Sequence, residues 1–387
     1  MNFELAEDTR NLQDAARSFA QAELPALAGE VEETGEPVSA DWLHRYGEMG
    51  FLGVNALEEH GGLGLPLLDA LVVLEEFAKI SVGVAFPVFE CLTGPVRIVE
   101  ALGQPALADR IVPATVTGDK LVAISMSEPD AGTALTDLRT SARIKSSSIV
   151  LNGTKRWCSG AGHSQGYVVF CRFDDKAGAA GVGAVYVDKD TQGVSFGPPE
   201  QLMGFRGVPS ADINLDNVTV PEENLIVGPG GFPNLMGLFN IERLGNATMS
   251  LGVAQGAADQ VTAYVQERIQ FGRPLAEFQA VQLKLADIKM KTDAARLLIH
   301  RAATDLRDGL PDAQNAAVAK CFINQAVREV CADAMQLMGG YGYAKEYGME
   351  QRLRDAYGWG IAGGAIDIQK VNIASGVLGR RFSQRKG

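Results

Sequence analysis

The chain reads as an α+β protein in which helices, then strands, then helices follow one another along 387 residues. Three observations carry that reading. Apolar residues recur at helical spacing up to about residue 120, alternating β-branched sequence fills residues 121 to about 225, and helical spacing returns from about 230. An N-terminal helical domain is therefore expected over 1–120, a central antiparallel β-domain over 121–228 and a C-terminal helical bundle over 229–387. With 46% hydrophobic residues the chain can bury a large core.

Each element has its own justification. In the first segment Leu12, Ala15 and Phe19 fall at helical spacing before Pro25, and Leu67–Lys79 is a long apolar helix pattern after the turn His60-Gly-Gly-Leu-Gly64. In the second, Thr140-Ser-Ala-Arg-Ile144, Ser148-Ile-Val-Leu151 and Tyr167-Val-Val-Phe170 read as antiparallel strands. Asn152-Gly153, Asp188-Lys-Asp190 and Asp216-Asn217 read as punctuation between strands. In the third, Leu275, Phe278, Val281, Leu285, Ile288, Ala295 and Leu298 mark one apolar stripe, read as bundle core. Helix hairpins follow, broken at Asp308-Gly-Leu-Pro311 and Gly339-Gly-Tyr-Gly-Tyr343. No repeats or low-complexity tracts occur.

Composition narrows the function. A net charge of −12 and a pI near 5.0 argue against a general attraction to nucleic acid or anionic membrane, and leave room for a local basic pocket for a phosphorylated ligand. No apolar run approaches the roughly 20 residues of a membrane helix. The first residues, Met1-Asn-Phe-Glu-Leu-Ala-Glu-Asp8, lack the basic-then-apolar order of a signal peptide, and a cytoplasmic location is expected. Five scattered cysteines without a C-x-x-C pair argue against disulfides and zinc, and the four histidines show no metal-ligand spacing. A metal-free enzyme is expected.

Two loops carry the chemistry. Ser125-Met-Ser-Glu-Pro-Asp-Ala-Gly-Thr133 and Leu151-Asn-Gly-Thr-Lys-Arg-Trp-Cys-Ser-Gly-Ala-Gly162 leave one sheet, offering small hydroxyls, backbone N–H groups and the flat face of Trp157. They suit a planar, hydrogen-bonding heterocycle such as a flavin, or are simply the polar loops of an ordinary sheet. A nicotinamide fingerprint is excluded: Gly160-Ala-Gly-His-Ser-Gln-Gly166 runs into the strand Tyr167-Val-Val-Phe170 and not into a helix. There is no Walker loop.

Together with Glu58-Glu-His-Gly-Gly-Leu-Gly-Leu65, Val220-Pro-Glu-Glu-Asn-Leu225, Arg268-Ile-Gln-Phe-Gly-Arg-Pro-Leu275, Glu277-Phe-Gln279 and Gln336-Leu-Met-Gly-Gly-Tyr-Gly-Tyr343, these loops stand in the order of the acyl-CoA dehydrogenase family, which the whole chain resembles. That resemblance implies the family's three-domain fold and a tightly bound, non-covalent FAD. It places Met126 (backbone) and Ser127 on the pyrimidine side of the flavin, Ser159 near N5 and Trp157 against the ring; otherwise Ser127 and Ser159 are turn-capping hydroxyls. Arg268 becomes the pyrophosphate ligand, or else a solvated helix-end charge, with Phe271 and Gln279 near the adenosine. Gln336 and Gly340 match positions that reach the same nucleotide from a neighbouring subunit. Thr133 and Arg243 are expected to contact the acyl-CoA substrate. A homotetramer, built as a dimer of dimers, and transfer of electrons to an electron-transferring flavoprotein are implied likewise.

One departure matters. Aligning Arg354-Asp-Ala356 with the family's Arg-Asp-Ala places Ala362-Gly-Gly-Ala365 on the run Tyr-Glu-Gly-Thr, so Gly363 stands where most members carry the catalytic glutamate. Ala365 and Asp367 likewise replace residues that touch the nucleotide. The segment Phe239-Asn-Ile-Glu242-Arg243 resembles the minority, including isovaleryl- and long-chain-type enzymes, whose glutamate precedes a helical arginine. Glu242 is thus the expected base; the alternative is an acid in a first helical turn, favoured by the macrodipole. The expected reaction is α,β-dehydrogenation of an acyl-CoA to a trans-2-enoyl-CoA. The alternatives are an enoyl-CoA reductase, a non-redox lyase, a flavin monooxygenase or an inactive acyl-CoA-binding paralogue. Glu90 or Arg97 either selects a polar or charged acyl group or is a surface residue, and the surface reading is preferred.

Overall fold

The computed structural model describes residues 3–380 and 382. Six helices come first: α1 (Glu7–Thr34), α2 (Ala40–Glu48), α3 (Leu67–Ile80), α4 (Val82–Leu92), α5 (Pro95–Leu102) and α6 (Pro105–Val116). Their ends follow local chemistry. Gly35 closes α1 in the left-handed conformation, Ser81 Oγ accepts from Val84 N at the start of α4, and Pro95 and Pro105 occupy first-turn positions where a missing N–H costs nothing. Helix α1 runs through Pro25 without stopping there. The segment Val82–Leu102 is, against expectation, long and apolar enough on composition to cross a membrane. It is instead two helices joined at Thr93-Gly94 and buried within the protein, a core segment whose length mimics a span.

Eight strands form the central sheet: β1 (Val122–Ser125), β2 (Ser141–Lys145), β3 (Ser148–Ser159), β4 (Gly166–Phe173), β5 (Val182–Asp188), β6 (Val194–Phe196), β7 (Ser210–Pro221) and β8 (Leu225–Val227). The order is β6-β7-β3-β2-β4-β5-β8, with β1 paired to β4. Most pairings are antiparallel as expected, but β1 and β2 both run parallel to β4. Asn152-Gly153 and Asp216-Asn217 are not turns. They face each other inside β3 and β7 at a bulge, where Asn217 turns left-handed and its N–H donates to Asn152 Oδ1 at 2.8 Å. Side chains on β4 alternate as a pleat requires: Val168 and Phe170 join the large helical core, while Tyr167, Val169 and Cys171 join a second core on the other face.

Helix α7 (Phe232–Glu267) then packs on α3 and on α9 (Ala313–Met338), making the centre of the helical core. Between them lie α8 (Gln279–Thr304) and two short hairpins, Ile269–Pro274 and Leu306–Pro311, each turning on a left-handed pair, Phe271-Gly272 and Asp308-Gly309. Three helices close the described chain: α10 (Gly340–Tyr343), α11 (Met349–Gly358) and α12 (Ile366–Val377). In α8 the residues Ile288, Thr292, Ala295 and Ile299 face the core, whereas Leu283, Met290 and Leu297 are exposed, so only part of its apolar content is core.

Candidate active site

Glu242 lies well inside α7, which begins at Phe232, so the first-turn macrodipole reading of this residue does not hold. Its carboxyl is buried, 8% exposed, and Oε2 has no hydrogen-bond partner. It lies where a side chain at position 363 would begin: a Cβ on Gly363 would stand 2.9 and 3.0 Å from its two oxygens. Gly363 and Gly364 both have positive φ, +62° and +88°, so the segment following Trp359 folds tightly against this carboxyl.

That segment is held by polar side chains which the sequence reading passed over. Lys320 of α9, fully buried, donates to the carbonyls of Trp359 at 3.0 Å and Ala362 at 2.8 Å. Asn246 of α7 donates to the same two carbonyls, and Asn324 links Asn246 to Ser250. Lys320 was legible as a lone cation within the apolar run Ala316-Ala-Val-Ala-Lys-Cys-Phe-Ile323. Burial drives the Glu242 carboxyl up to about 7, against the pull of Lys320 and Arg243. Burial likewise drives Lys320 down to about 8, against the pull of Glu242. Arg243 is bonded to Asn240 Oδ1 and lies over the Phe239 ring at 5.4 Å. Glu90 and Arg97, preferred as surface residues, are both buried in the α4–α5 segment: Arg97 pairs with Glu100 and the carbonyls of Cys91 and Asn55, while Glu90 faces Glu242.

The two loops of the sheet are tied side by side. Lys155 Nζ, fully buried, donates to Met126 O at 3.0 Å and Glu128 Oε1 at 2.8 Å, and Arg156 N donates to Ser127 O at 2.9 Å. A bulge between Lys155 and Cys158 puts Trp157 at φ +59°, a strained conformation for a bulky residue, and leaves its indole 53% exposed under the Arg156 guanidinium. Ser159 ends β3 opposite Ser210, half-buried, and Thr133 is exposed. Arg268 caps α7 and shares an open cleft of about 460 Å³ with Gly339, Gly340 and Tyr341. Phe271 is 94% exposed at φ +52°, and Gln279 and Gln336 are exposed at the start of α8 and the end of α9. Within one chain β3 packs on β1, β2 and β7, whereas the hairpin after Arg268 packs on α7, so the two sets of expected nucleotide contacts sit on separate parts of the fold.

Family models for the N-terminal, middle and C-terminal domains of acyl-CoA dehydrogenases match residues 6–119, 123–218 and 229–378. The chain belongs to the acyl-CoA dehydrogenase family. It is 35% identical to a 3-sulfinopropanoyl-CoA desulfinase of Paraburkholderia xenovorans (strain LB400), covering 99% of both chains. It is 33% identical to a 3-(aryl)acrylate reductase of Clostridium sporogenes (strain ATCC 15579), covering 95% of this chain and 97% of the relative. The structure of butyryl-CoA dehydrogenase from Megasphaera elsdenii superposes with a TM-score of 0.93 at 30% identity, covering 98% of this chain and all of that one. Proteins of this acyl-CoA dehydrogenase fold are flavoproteins that use FAD, and the chain is an oxidoreductase of the same class. The residues present fit such a group: two loops locked together by a buried Lys155–Glu128 pair carry partly exposed hydroxyls at Ser127 and Ser159 and an outward indole at Trp157.

Proposed function

We propose that the protein is an FAD-dependent acyl-CoA dehydrogenase in which Glu242 is the base. It removes the α-proton of an acyl-CoA thioester, and the product is a trans-2-enoyl-CoA. FAD, when bound, accepts the β-hydride. The observation that supports this reading best is the meeting of Glu242 with the missing Cβ of Gly363. A carboxyl arriving from α7 fills the ground that a side chain from the loop would otherwise occupy. Buried and raised to about 7, it is ionised in a useful fraction at neutral pH and basic enough to take a proton. Lys320, Asn246 and Asn324 position it by holding the loop carbonyls, so that the glycine segment cannot drift into its space.

Met126, Ser127, Trp157 and Ser159 would hold the flavin ring, and Arg268 the pyrophosphate with a guanidinium fork. Phe271, Gln279, Gln336 and Gly340 would complete the nucleotide site across a subunit boundary. Arg243 and Thr133 would contact the thioester. The exposed apolar residues Leu283, Met290 and Leu297, seven apart on α8, support a helix-to-helix contact between copies and so the tetramer. Electrons would leave to an electron-transferring flavoprotein, and a cytoplasmic location goes with this reading.

A second reading is favoured by the same raised carboxyl. Protonated Glu242 would deliver the α-proton in an enoyl-CoA reductase, the direction in which the Clostridium relative's name points. Anaerobic mixing distinguishes the two. Bleaching of oxidised flavin by saturated thioesters is the result expected. Bleaching by none of them, with re-oxidation of reduced flavin by enoyl thioesters, would replace the first reading by the second.

A further inference from the structure

Three carboxyls of the helical core have basic groups beside them. Glu75 pairs with Arg296 and Lys79, Glu76 with Arg17 and Lys79, and Glu100 with Arg97 and His60. Glu90, 6% exposed near the C-terminal end of α4, differs from these three: it forms no ion pair among the described residues, its Oε2 has no hydrogen-bond partner, and the charged group that bears on it is Glu242. Close helix packing fixes this juxtaposition. Gly245, one turn after Glu242, lies so near α4 that a Cβ on it would fall 2.0 Å from Thr93 Oγ1. Each carboxyl is also faced by a glycine. A Cβ on Gly94 would stand 3.2 Å from Glu90 Oε2, as one on Gly363 would stand against Glu242. Glu90 also lies within electrostatic reach of Cys158, the neighbour of Trp157 in the second loop.

Glu90 is thus a buried neighbour of both the base and the loop that would carry the flavin, and an acyl chain whose reacting carbons lie between that base and that flavin passes close to it. Burial and the Glu242 charge both push it well above the usual carboxylate range, which favours its neutral form. A neutral carboxylic acid donates one hydrogen bond and accepts others, and leaving it unmatched in an apolar site is costly.

We propose that Glu90 determines specificity in the acyl site, hydrogen-bonding a polar group on the acyl chain. The substrate is then an acyl-CoA carrying a hydroxyl, oxo or amide group beyond its reacting carbons, in preference to a plain alkyl thioester. This rests on the dehydrogenase reading above.

The test uses the holoenzyme and length-matched thioesters, pentanoyl- to octanoyl-CoA against their ω-hydroxy and (ω−1)-oxo counterparts. Binding is read from perturbation of the flavin spectrum in Glu242→Gln, whose turnover is slow enough to observe the bound complex, and kcat/KM is read in wild type. At one chain length or more a polar thioester should exceed its alkyl partner by about 10²-fold or more, since sites built to hydrogen-bond a substrate group reject the analogue lacking it by up to about 10⁴–10⁵-fold. Glu90→Leu should reverse that order, and Glu90→Gln, which keeps a donor and an acceptor, should retain it. If Glu90→Leu does not fold, Glu90→Met replaces it. Alkyl thioesters that match the polar ones at every length, or a preference untouched by the apolar variants, would overturn the proposal. A preference for ω-amino chains would overturn the neutral-acid form of it. Failure of every thioester to perturb the flavin would overturn the dehydrogenase reading as well, whereas binding without discrimination overturns this inference alone.

Discussion

Replacing Gly363 by alanine tests the meeting of loop and helix with one methyl group. The new Cβ would stand 2.9 and 3.0 Å from the Glu242 oxygens and 3.3 Å from Asn246 Nδ2, inside ordinary van der Waals contact, so the carboxyl must turn away. The backbone there has φ +62°, and an L-residue in the left-handed region costs about 1–2 kcal/mol. Stability should fall by about that amount. The kinetic loss should be larger, because displacing a reacting group by about 1 Å costs on the order of 10²-fold in rate. Gly364→Ala is the control. Its φ is +88°, and its Cβ would meet the flexible end of Gln369 at 2.5 Å and not Glu242, so it should lose stability and keep its rate. Urea unfolding and stopped-flow bleaching of the flavin by a bound thioester give the two readouts. The reasoning is refuted if Gly363→Ala reduces at the wild-type rate, or if Gly364→Ala loses as much rate as Gly363→Ala.

Glu242→Gln should change the pH dependence of stability. A carboxyl raised from 4.5 to about 7 on folding binds its proton more tightly in the folded state, so its contribution is full below pH 4.5 and is lost as pH rises to about 7. The variant should gain on wild type by up to about 3 kcal/mol between pH 5 and pH 8, at about 1.4 kcal/mol per unit; an equal difference at both pH values would contradict this. Arg268→Ala should yield largely apo protein on purification, and full FAD occupancy would remove it from the pyrophosphate site. Met290→Glu, placing a charge in the exposed α8 stripe, should halve the assembly or dissolve it by light scattering, and an unchanged mass would move the interface elsewhere.

Much of this architecture is written in local pattern. The long apolar helix after His60-Gly-Gly-Leu-Gly64 and the breaks at Asp308-Gly309 and Gly339-Gly340 stand as expected, because helical spacing and left-handed glycines are local signals. Asn152-Gly153 and Asp216-Asn217 carry the same dipeptide signal as a turn. Only the pairing of β3 with β7 makes them a bulge, and pairing is not local. Glu90 and Arg97 misled for a related reason: charge argues for the surface, whereas Arg97 is matched in the interior by Glu100 one turn on and by the carbonyl of the distant Asn55, and Glu90 is buried without a cation among the described residues. That Glu242 lies beside position 363 follows the pairing expected from its helical arginine neighbour and the glycine at 363; its role as base is the proposal. The grip of Lys320 on the loop carbonyls was not legible, since a lysine in a helix says nothing of what its Nζ reaches.

The most direct test is the pre-steady-state reduction of FAD by a bound thioester in wild type and Glu242→Gln, measured from pH 5.5 to 9. In wild type the rate should rise with pH through a group near 7, as the base ionises. In Glu242→Gln, thioester binding and FAD content should be retained while the rate falls by about 10²–10⁴-fold or more and that limb disappears. A Glu242→Gln enzyme that bleaches its flavin at nearly the wild-type rate, with the same pH profile, would show that the proton leaves to another group.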